Sequence, residues 1–254
     1  MKLLAVGSVG LDTVETPHGR VVDAPGGSVV FFGLAASIFT PLSIAANLGD
    51  DFPDSAWDSL RRRGADLSGL RTLPGEKTFR WEARYEGEMG QATTLRTELN
   101  VLEHAPVLPK GHEDADILFL ANMGADVQLA TLRAAGIKRA WADTMNLWIG
   151  TQRDDLESVL TLLEGLFLNE EEALQLTGAS SLEEAGNQLL GMGPRIVVVK
   201  LGARGALLVT AEGQRHLAAY PAKPVIGPAG AGDSFAGGFL GYLASKGTSG
   251  DWPT

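Results

Sequence analysis

The chain has 254 residues, no cysteine and a formal net charge of −10. This length fits one large domain or one domain with a small appendage; the lack of cysteine excludes a disulfide scaffold and thiol chemistry, and the acidic balance argues against binding a nucleic-acid backbone. No stretch approaches the ~20 apolar residues of a membrane span, and Met1-Lys-Leu-Leu-Ala-Val-Gly7 is too short an apolar run for a signal peptide, so a cytoplasmic location is expected.

In chain order, Leu3–Val6 reads as a strand and Asp12–Val22 as a short hairpin around Pro17-His-Gly19. Val29–Phe39 reads as an apolar helix ended near Pro41, Ser43–Asn47 as a strand, and Asp54–Arg63 as a helix closed by Gly64. Thr78–Tyr85 and Thr93–Val101 alternate in period two, with Phe79, Trp81, Ala83 and Tyr85 on one side and Arg80, Glu82 and Arg84 on the other. They either form a small separate sheet or extend the edge of the main one. Strands follow at Ile117–Ala121, Arg139–Ala142 and Gly165–Leu168, with helices at Asp126–Ala135, Arg153–Leu163, Glu170–Leu176 and Leu182–Leu190. Ile196–Val199 and Ala206–Val209 are further strands, and a late apolar helix opens at Asp233. Such alternation predicts an α/β fold: a three-layer sandwich around a mainly parallel central sheet.

Chemistry concentrates where small residues meet charge. Gly230-Ala-Gly-Asp233 places a tight turn and free amides at a helix start, which suits an anion. An acid beside an anion needs a reason, and one is to accept a proton during phosphoryl transfer. The bland alternative is a Gly-rich loop with Asp233 as N-cap. Lys200-Leu-Gly-Ala-Arg-Gly205 is a turn at the carboxyl end of a strand, where α/β sheets bind ligands; Gly202 and Gly205 would let a phosphate or flat ligand approach. Asn169-Glu-Glu-Glu172 ends a strand and opens a helix. Asn169 reads as a cap, or, with Glu172, as a holder of Mg²⁺ through water.

These segments, in this order, resemble the ribokinase/PfkB family of carbohydrate and nucleoside kinases. Gly230–Asp233 with Gly237 and Gly238 is similar to the family's C-terminal signature, Lys200–Gly205 to its ATP-binding turn, and Asn169–Glu172 to its magnesium motif. Gly7-Ser-Val-Gly-Leu-Asp12 resembles its first strand with a substrate-contacting Asp. Pro25-Gly26-Gly27-Ser28 resembles its di-glycine, and Leu48-Gly-Asp-Asp-Phe52 is also typical. The resemblance implies ATP and Mg²⁺, a sugar or nucleoside acceptor, and one domain over residues 1–254. It implies a β lid from about 12–23 and 77–101, through which two copies could pair. Asp233 is then the proton acceptor, with the amides of Gly230, Ala231, Gly232 and Asp233 stabilising charge. Asn169, Lys200, Gly202 and Gly205 serve the nucleotide, Asn169 and Glu172 the metal, and Asp12, Gly26, Gly27 and Ser28 the acceptor.

The chain departs from the family pattern at Gly227-Pro228, and at Ser28-Val-Val-Phe-Phe-Gly33, where an Asn is usual. It also stops at Thr254, where the family continues with further helices, so a C-terminus truncated relative to the family is expected. A nucleoside kinase, whose aromatic lid strand stacks a base, and a non-catalytic sugar or nucleotide sensor are the alternatives. Asp143-Thr-Met-Asn146 and Asn122 either line the site or cap helices. His18, His104, His112 and His216 lack metal-ligand spacing, Glu76-Lys77-Thr78 lacks a P-loop's earlier glycine, and Trp141 and Trp148 read as core.

Overall fold

The computed structural model describes residues 1–87, 92–221, 227 and 229–247. Two compact units form: Met1–Ala121 with the segment from Gly227, and Asn122–Ile226. Pro228 and the segment 248–254, on which two of the departures above fall, lie outside the described residues.

The first unit contains β1 (Leu3–Val6), β2 (Gly10–Thr16), β3 (Gly19–Gly26), α1 (Ser28–Ala36), β4 (Leu42–Leu48), α2 (Asp58–Arg62) and β5 (Asp66–Thr72). It continues with β6 (Phe79–Tyr85), β7 (Ala92–Glu98) and β8 (Ile117–Leu120). The second contains α3 (Ala125–Ala135), β9 (Ala140–Asp143), α4 (Asn146–Thr151), α5 (Arg153–Leu160), β10 (Gly165–Asn169), α6 (Glu170–Thr177), α7 (Leu182–Gly191), β11 (Ile196–Lys200), β12 (Ala206–Thr210) and β13 (Gly213–Leu217). The last helix, α8 (Ala231–Lys246), belongs to the first unit.

In the first unit β8, β1, β4 and β5 pair in parallel in that order. In the second, β9, β10 and β11 are parallel, and β12 and β13 follow antiparallel. This is the expected α/β class with a mainly parallel central sheet. All four residues of β1 and of β8 are buried, as are the first four of β10 and of β11. Continuous apolar runs of this kind are what a parallel sheet covered on both faces requires. Phe32 of α1 stacks on Phe119 of β8 with ring centroids 4.1 Å apart, and Trp141 packs on Phe167 at 5.2 Å. No helix among the described residues is long and apolar enough to cross a membrane.

A separate four-stranded sheet in the first unit runs β3-β2-β6-β7, with β2 and β6 parallel and the outer pairs antiparallel. Its root is clamped by the Gly49–Asp51 motif. The Gly49 N–H donates to Thr78 Oγ1 (3.0 Å), Asp50 accepts from the Gly75 N–H (2.7 Å), and Asp51 accepts from the Thr78 N–H (2.8 Å). Arg80 of β6 then bridges Asp51 and Asp23, at 2.7 Å each.

Three elements were not anticipated: β5, α4 and β13. β5 is an exposed edge strand with few β-branched residues, so its composition carries no strand signal. The expected helix over Asp54–Arg63 is split into a 3₁₀ turn, Asp54–Trp57, and α2. The expected strand to Val101 stops at Glu98, because Asn100 turns at φ 50° into a 3₁₀ turn.

Candidate active site

The di-glycine lies where β3 hands over to α1. Gly27 has φ 101° and ψ 153°, a region that only glycine occupies readily. A Cβ there would sit 2.5 Å from the Ser8 carbonyl oxygen and 2.7 Å from the Gly10 nitrogen. At Gly26 a Cβ would meet Asp12 Oδ2 at 2.3 Å. Ser28 fastens the corner to the β1–β2 loop. Its N–H donates to Ser8 Oγ (3.1 Å), the Ser8 N–H donates back to Ser28 Oγ (3.1 Å), and the hydroxyls lie 2.8 Å apart.

Asp12, only 7% exposed, accepts a hydrogen bond from the Gly27 N–H. Burial raises its pKa to about 6, with the Gly27 amide pulling the other way. The folded value lies above the ordinary 3.8, so the fold favours the neutral carboxyl. That contribution is complete below the ordinary value and is lost as pH rises through about 6. Asp12→Asn removes the dependence. Relative to the parent, the variant is expected to gain roughly 2–3 kcal/mol of stability between pH 4 and pH 8. Urea unfolding at both pH values measures this, and a pH-independent difference would contradict it.

α8 begins at Gly230, which is left-handed (φ 73°, ψ 5°), and no described side chain caps it. The first turn holds Ala231, Gly232 and Asp233, where orphan N–H groups and the helix dipole favour an anion. A Cβ on Gly230 would lie 2.3 Å from the Phe31 ring, and one on Gly26 would lie 3.2 Å from the same ring. Phe31 of α1 therefore wedges between the di-glycine and the start of α8. Farther along, a Cβ on Gly237 would meet the Phe32 carbonyl oxygen at 2.2 Å, and one on Gly241 would meet Ala36 Cα at 2.8 Å. The two helices run side by side in the same direction, backbone against backbone.

The small sheet turns an aromatic face to this corner. Parallel register pairs Gly10 with Phe79, Asp12 with Trp81 and Val14 with Ala83. Asp12 thus shares a face with Phe79, Trp81, Ala83 and Tyr85. Tyr85 is 8% exposed. Burial, and then the charges of Asp12 and Asp233, push its phenol up to about 12. One phenol therefore senses both acids, which places Asp12 and Asp233 in one neighbourhood.

In the second unit, Asn169 is the N-cap of α6. Its Oδ1 accepts from the Glu172 N–H (2.9 Å), and Glu172 Oε2 accepts from the Asn169 N–H (2.7 Å), a reciprocal capping box. Glu172 is 5% exposed. Burial raises its pKa to about 7; Lys200 opposes this, while Asp143 adds to it. Lys200 Nζ donates to Asp143 Oδ2 at 2.6 Å. The carboxyl ends of β9, β10 and β11 thereby collect Asp143, Asn169 and Lys200, with Glu172 one turn on. Gly202 is left-handed (φ 58°) and a Cβ on it would meet nothing within 4 Å. Gly205 (φ 105°) is glycine for another reason: a Cβ would strike the Leu217 carbonyl oxygen at 1.9 Å. Arg204 pairs with Glu170, which fixes this turn to the start of α6.

Asn122 accepts from Trp148 Nε1 (2.8 Å) and donates to Met145 Sδ (3.0 Å). Trp141 and Trp148 are both buried. Among the described residues no cluster of His, Cys, Asp or Glu forms a metal site of protein ligands alone. Two residues of the corner were not singled out from the sequence for a role there. Tyr85 was visible only as one of four aromatic-side positions, and Phe31 only as part of a departure from the family pattern; pairing across the fold gives them their places.

The α/β fold with an appended sheet thus carries a glycine-opened helix start in the same unit as Asp12 and Asp233. Residues 44–251 match the pfkB family carbohydrate kinase, and the chain belongs to that family. It is an ATP-dependent carbohydrate or nucleoside kinase. It is 32% identical, over 97% of its length and 90% of the relative's, to the cytidine kinase of Thermococcus kodakarensis. A 74-residue stretch, 29% of the chain and 23% of the relative, is 45% identical to the aminoimidazole riboside kinase of Salmonella typhimurium. Among solved structures, the ribokinase of Cryptococcus neoformans in complex with ADP superposes with a TM-score of 0.80 at 22% identity, covering 98% of this chain and 88% of that one. The Burkholderia thailandensis nucleoside kinase in complex with inosine gives 0.75 at 18% identity, with 96% and 85% covered. At these identities the solved structures show the fold.

Proposed function

We propose that the protein phosphorylates a hydroxyl of a ribose-containing acceptor, with nucleosides as its class. The observation that carries this reading is the neighbourhood of Asp12, Asp233 and Tyr85 beside the di-glycine and the start of α8. The acceptor's hydroxyls are held by Asp12 and the Gly26–Gly27 main chain, which Ser28 fixes through Ser8. Its reacting oxygen attacks the γ-phosphorus of ATP while the bond from that phosphorus to the bridging oxygen of ADP breaks. Asp233 takes the departing proton, and the amides of Gly230, Ala231, Gly232 and Asp233 face the charge on the transferred group. The small sheet covers the acceptor and keeps water from competing for the phosphoryl group. Phe31, Phe79 and Trp81 offer flat surface to a base, in keeping with the cytidine kinase named above.

Lys200, Gly202 and Gly205 serve the nucleotide in this reading, and Asn169 and Glu172 the metal. The residues fit a hard cation held through water: Glu172 commits Oε2 to the capping box, and its raised pKa marks a buried carboxyl short of positive charge. Mg²⁺, when bound, supplies charge neutralisation at the phosphates. Glu172→Gln separates the two roles, since Gln also completes a capping box. The expected result is unchanged or higher thermal stability, with the Mg²⁺ concentration for half-maximal rate raised about tenfold. An unshifted Mg²⁺ dependence would remove Glu172 from the metal site. The function itself is tested by coupled ATP-consumption assays over a panel of nucleosides and free sugars. Turnover of free sugars alone would displace the nucleoside reading, and binding with no turnover would favour a sensor.

A further inference from the structure

We infer that Arg80 is a positioning residue of the acceptor site: its guanidinium ties a bulge in β3 to the loop after β4, and so keeps Asp12 and the Gly26–Gly27 main chain in register for the acceptor. The inference rests on the kinase reading above and deepens it.

The bulge comes first. Gly10, Leu11 and Asp12 pair with Gly26, Pro25 and Ala24, but Val14 pairs with Val21, so Val22 and Asp23 together oppose Thr13. Such an extra residue bends its strand, and bulges recur beside active sites. Asp23 carries the irregularity at φ 50°, a left-handed conformation that persists in a residue with a side chain only where its surroundings hold it. Its N–H donates to Thr13 Oγ1 (3.2 Å), and Thr13 is the residue after Asp12. From the bulge, β3 runs through Ala24 and Pro25 straight into the di-glycine.

The fork comes second. Arg80 pairs with Leu11, one residue before Trp81, the partner of Asp12. Alternation therefore puts its side chain on the opposite face of the small sheet from Asp12. From there it reaches across β2: Nη1 donates to Asp23 Oδ1 and Nη2 to Asp51 Oδ2, both at 2.7 Å. A planar guanidinium serves two acids through separate nitrogens, which a lysine ammonium does not reproduce. Asp51 is itself pinned, because its Oδ1 accepts from the Thr78 N–H at 2.8 Å. Without the fork, the carboxylates of Asp23 and Asp51 would repel, with Lys77 4.0 Å from Asp51 as the remaining cation. Asp23 would leave its left-handed turn, and Thr13 and the strand into Gly26 would shift with it. The fork bonds no residue of α8 or of the second unit, so its loss falls on acceptor binding.

The variants are Arg80→Met, Arg80→Lys, Asp23→Asn and the double variant Arg80→Met with Asp23→Asn. The probes are cytidine and D-ribose. The readouts are calorimetric Kd and KM for each probe, kcat, KM for ATP, and amide hydrogen exchange over residues 10–14, 24–28 and 231–246. Arg80→Met is expected to raise acceptor Kd and KM about tenfold, with kcat and KM for ATP within about twofold of the parent, the pattern of lost uniform binding. Arg80→Lys should restore little of this. Asp23→Asn should raise Kd about threefold, and the double variant should be no worse than Arg80→Met, since both changes break one link. Exchange should quicken over 10–14 and 24–28 and stay unchanged over 231–246. An unchanged acceptor Kd in Arg80→Met would overturn the inference, as would an equal rise in KM for ATP, full rescue by Lys, or additive effects in the double variant. If Arg80→Met fails to fold, Asp23→Asn decides, at a half-exposed side chain: an unchanged Kd there overturns the inference. If the parent binds a probe but transfers no phosphate, the kinase reading fails while the Kd comparison still decides Arg80. If it binds neither probe, the acceptor reading fails and hydrogen exchange decides: unchanged exchange over 10–14 and 24–28 removes the positioning role.

Discussion

Asp233→Asn is expected to lower kcat by about three orders of magnitude or more, with ATP affinity within a few-fold of the parent. Asn has nearly the same shape, so the first turn of α8 and its amides stay in place. What disappears is the ability to hold a proton. A free Asp has a pKa near ~3.9, and a helix start favours its charged form. In the proposed role Asp233 receives the proton only once bonding to phosphorus has acidified the attacking oxygen. Its contribution falls almost wholly in the transition state, which predicts a loss in kcat at nearly constant KM. ATP binding to the variant is read by a fluorescent nucleotide analogue, and rates by a coupled assay. A variant retaining a tenth of the parent's kcat would falsify the proton-acceptor role.

The second large effect is structural. Gly27→Ala is expected to cost about 3–5 kcal/mol, two separate penalties acting together. The backbone at φ 101° is strained for any side chain. The new Cβ also meets main-chain atoms of Ser8, Val9 and Gly10 at 2.5–2.7 Å, none of which can swing aside as a flexible side chain would. For a protein of this size that lowers the thermal midpoint by roughly 10 °C. Gly111 is the control: its φ is 79°, but a Cβ there meets nothing within 4 Å. Gly111→Ala should cost only about 1 kcal/mol. Equal midpoint losses for the two variants would show that the collisions at Gly27 are relieved by movement. Because the Gly27 N–H also bonds Asp12, any folded Gly27→Ala protein should show a raised KM for the acceptor.

Much of the fold was legible from local pattern. β1, β8, β10 and β11 are apolar runs bounded by turn residues, and burial on both faces demands that composition. The strand over Thr78–Tyr85 was legible from its alternation, although not its parallel pairing with β2, which joins residues about seventy positions apart. β5 was not legible, since an edge strand with one wet side needs neither branched nor apolar residues. In the candidate site, single residues with special backbone needs were easiest to read: Gly27 and Gly230 have left-handed or extended φ and no room for a side chain. Asn169 shows the limit. Its sequence permitted a cap or a metal-site residue; the capping box is present in the structure, and it leaves the second role open as a proposal. Lys200 shows another limit. Its ion pair with Asp143 spans 57 residues and arises only because β9 and β11 flank the same strand. Tyr85 was hidden for the same reason, its neighbours coming from three separate stretches of chain.

The seam between α1 and α8 constrains how this enzyme can diversify. Glycines at 237 and 241 let the helices touch through their main chains, so neither can slip by a residue without a clash. The di-glycine before α1 and Asp233 in the first turn of α8 are thereby cast as one piece. Selection for a new substrate would therefore leave that casting alone and rework the replaceable aromatic wall at positions 79, 81 and 85.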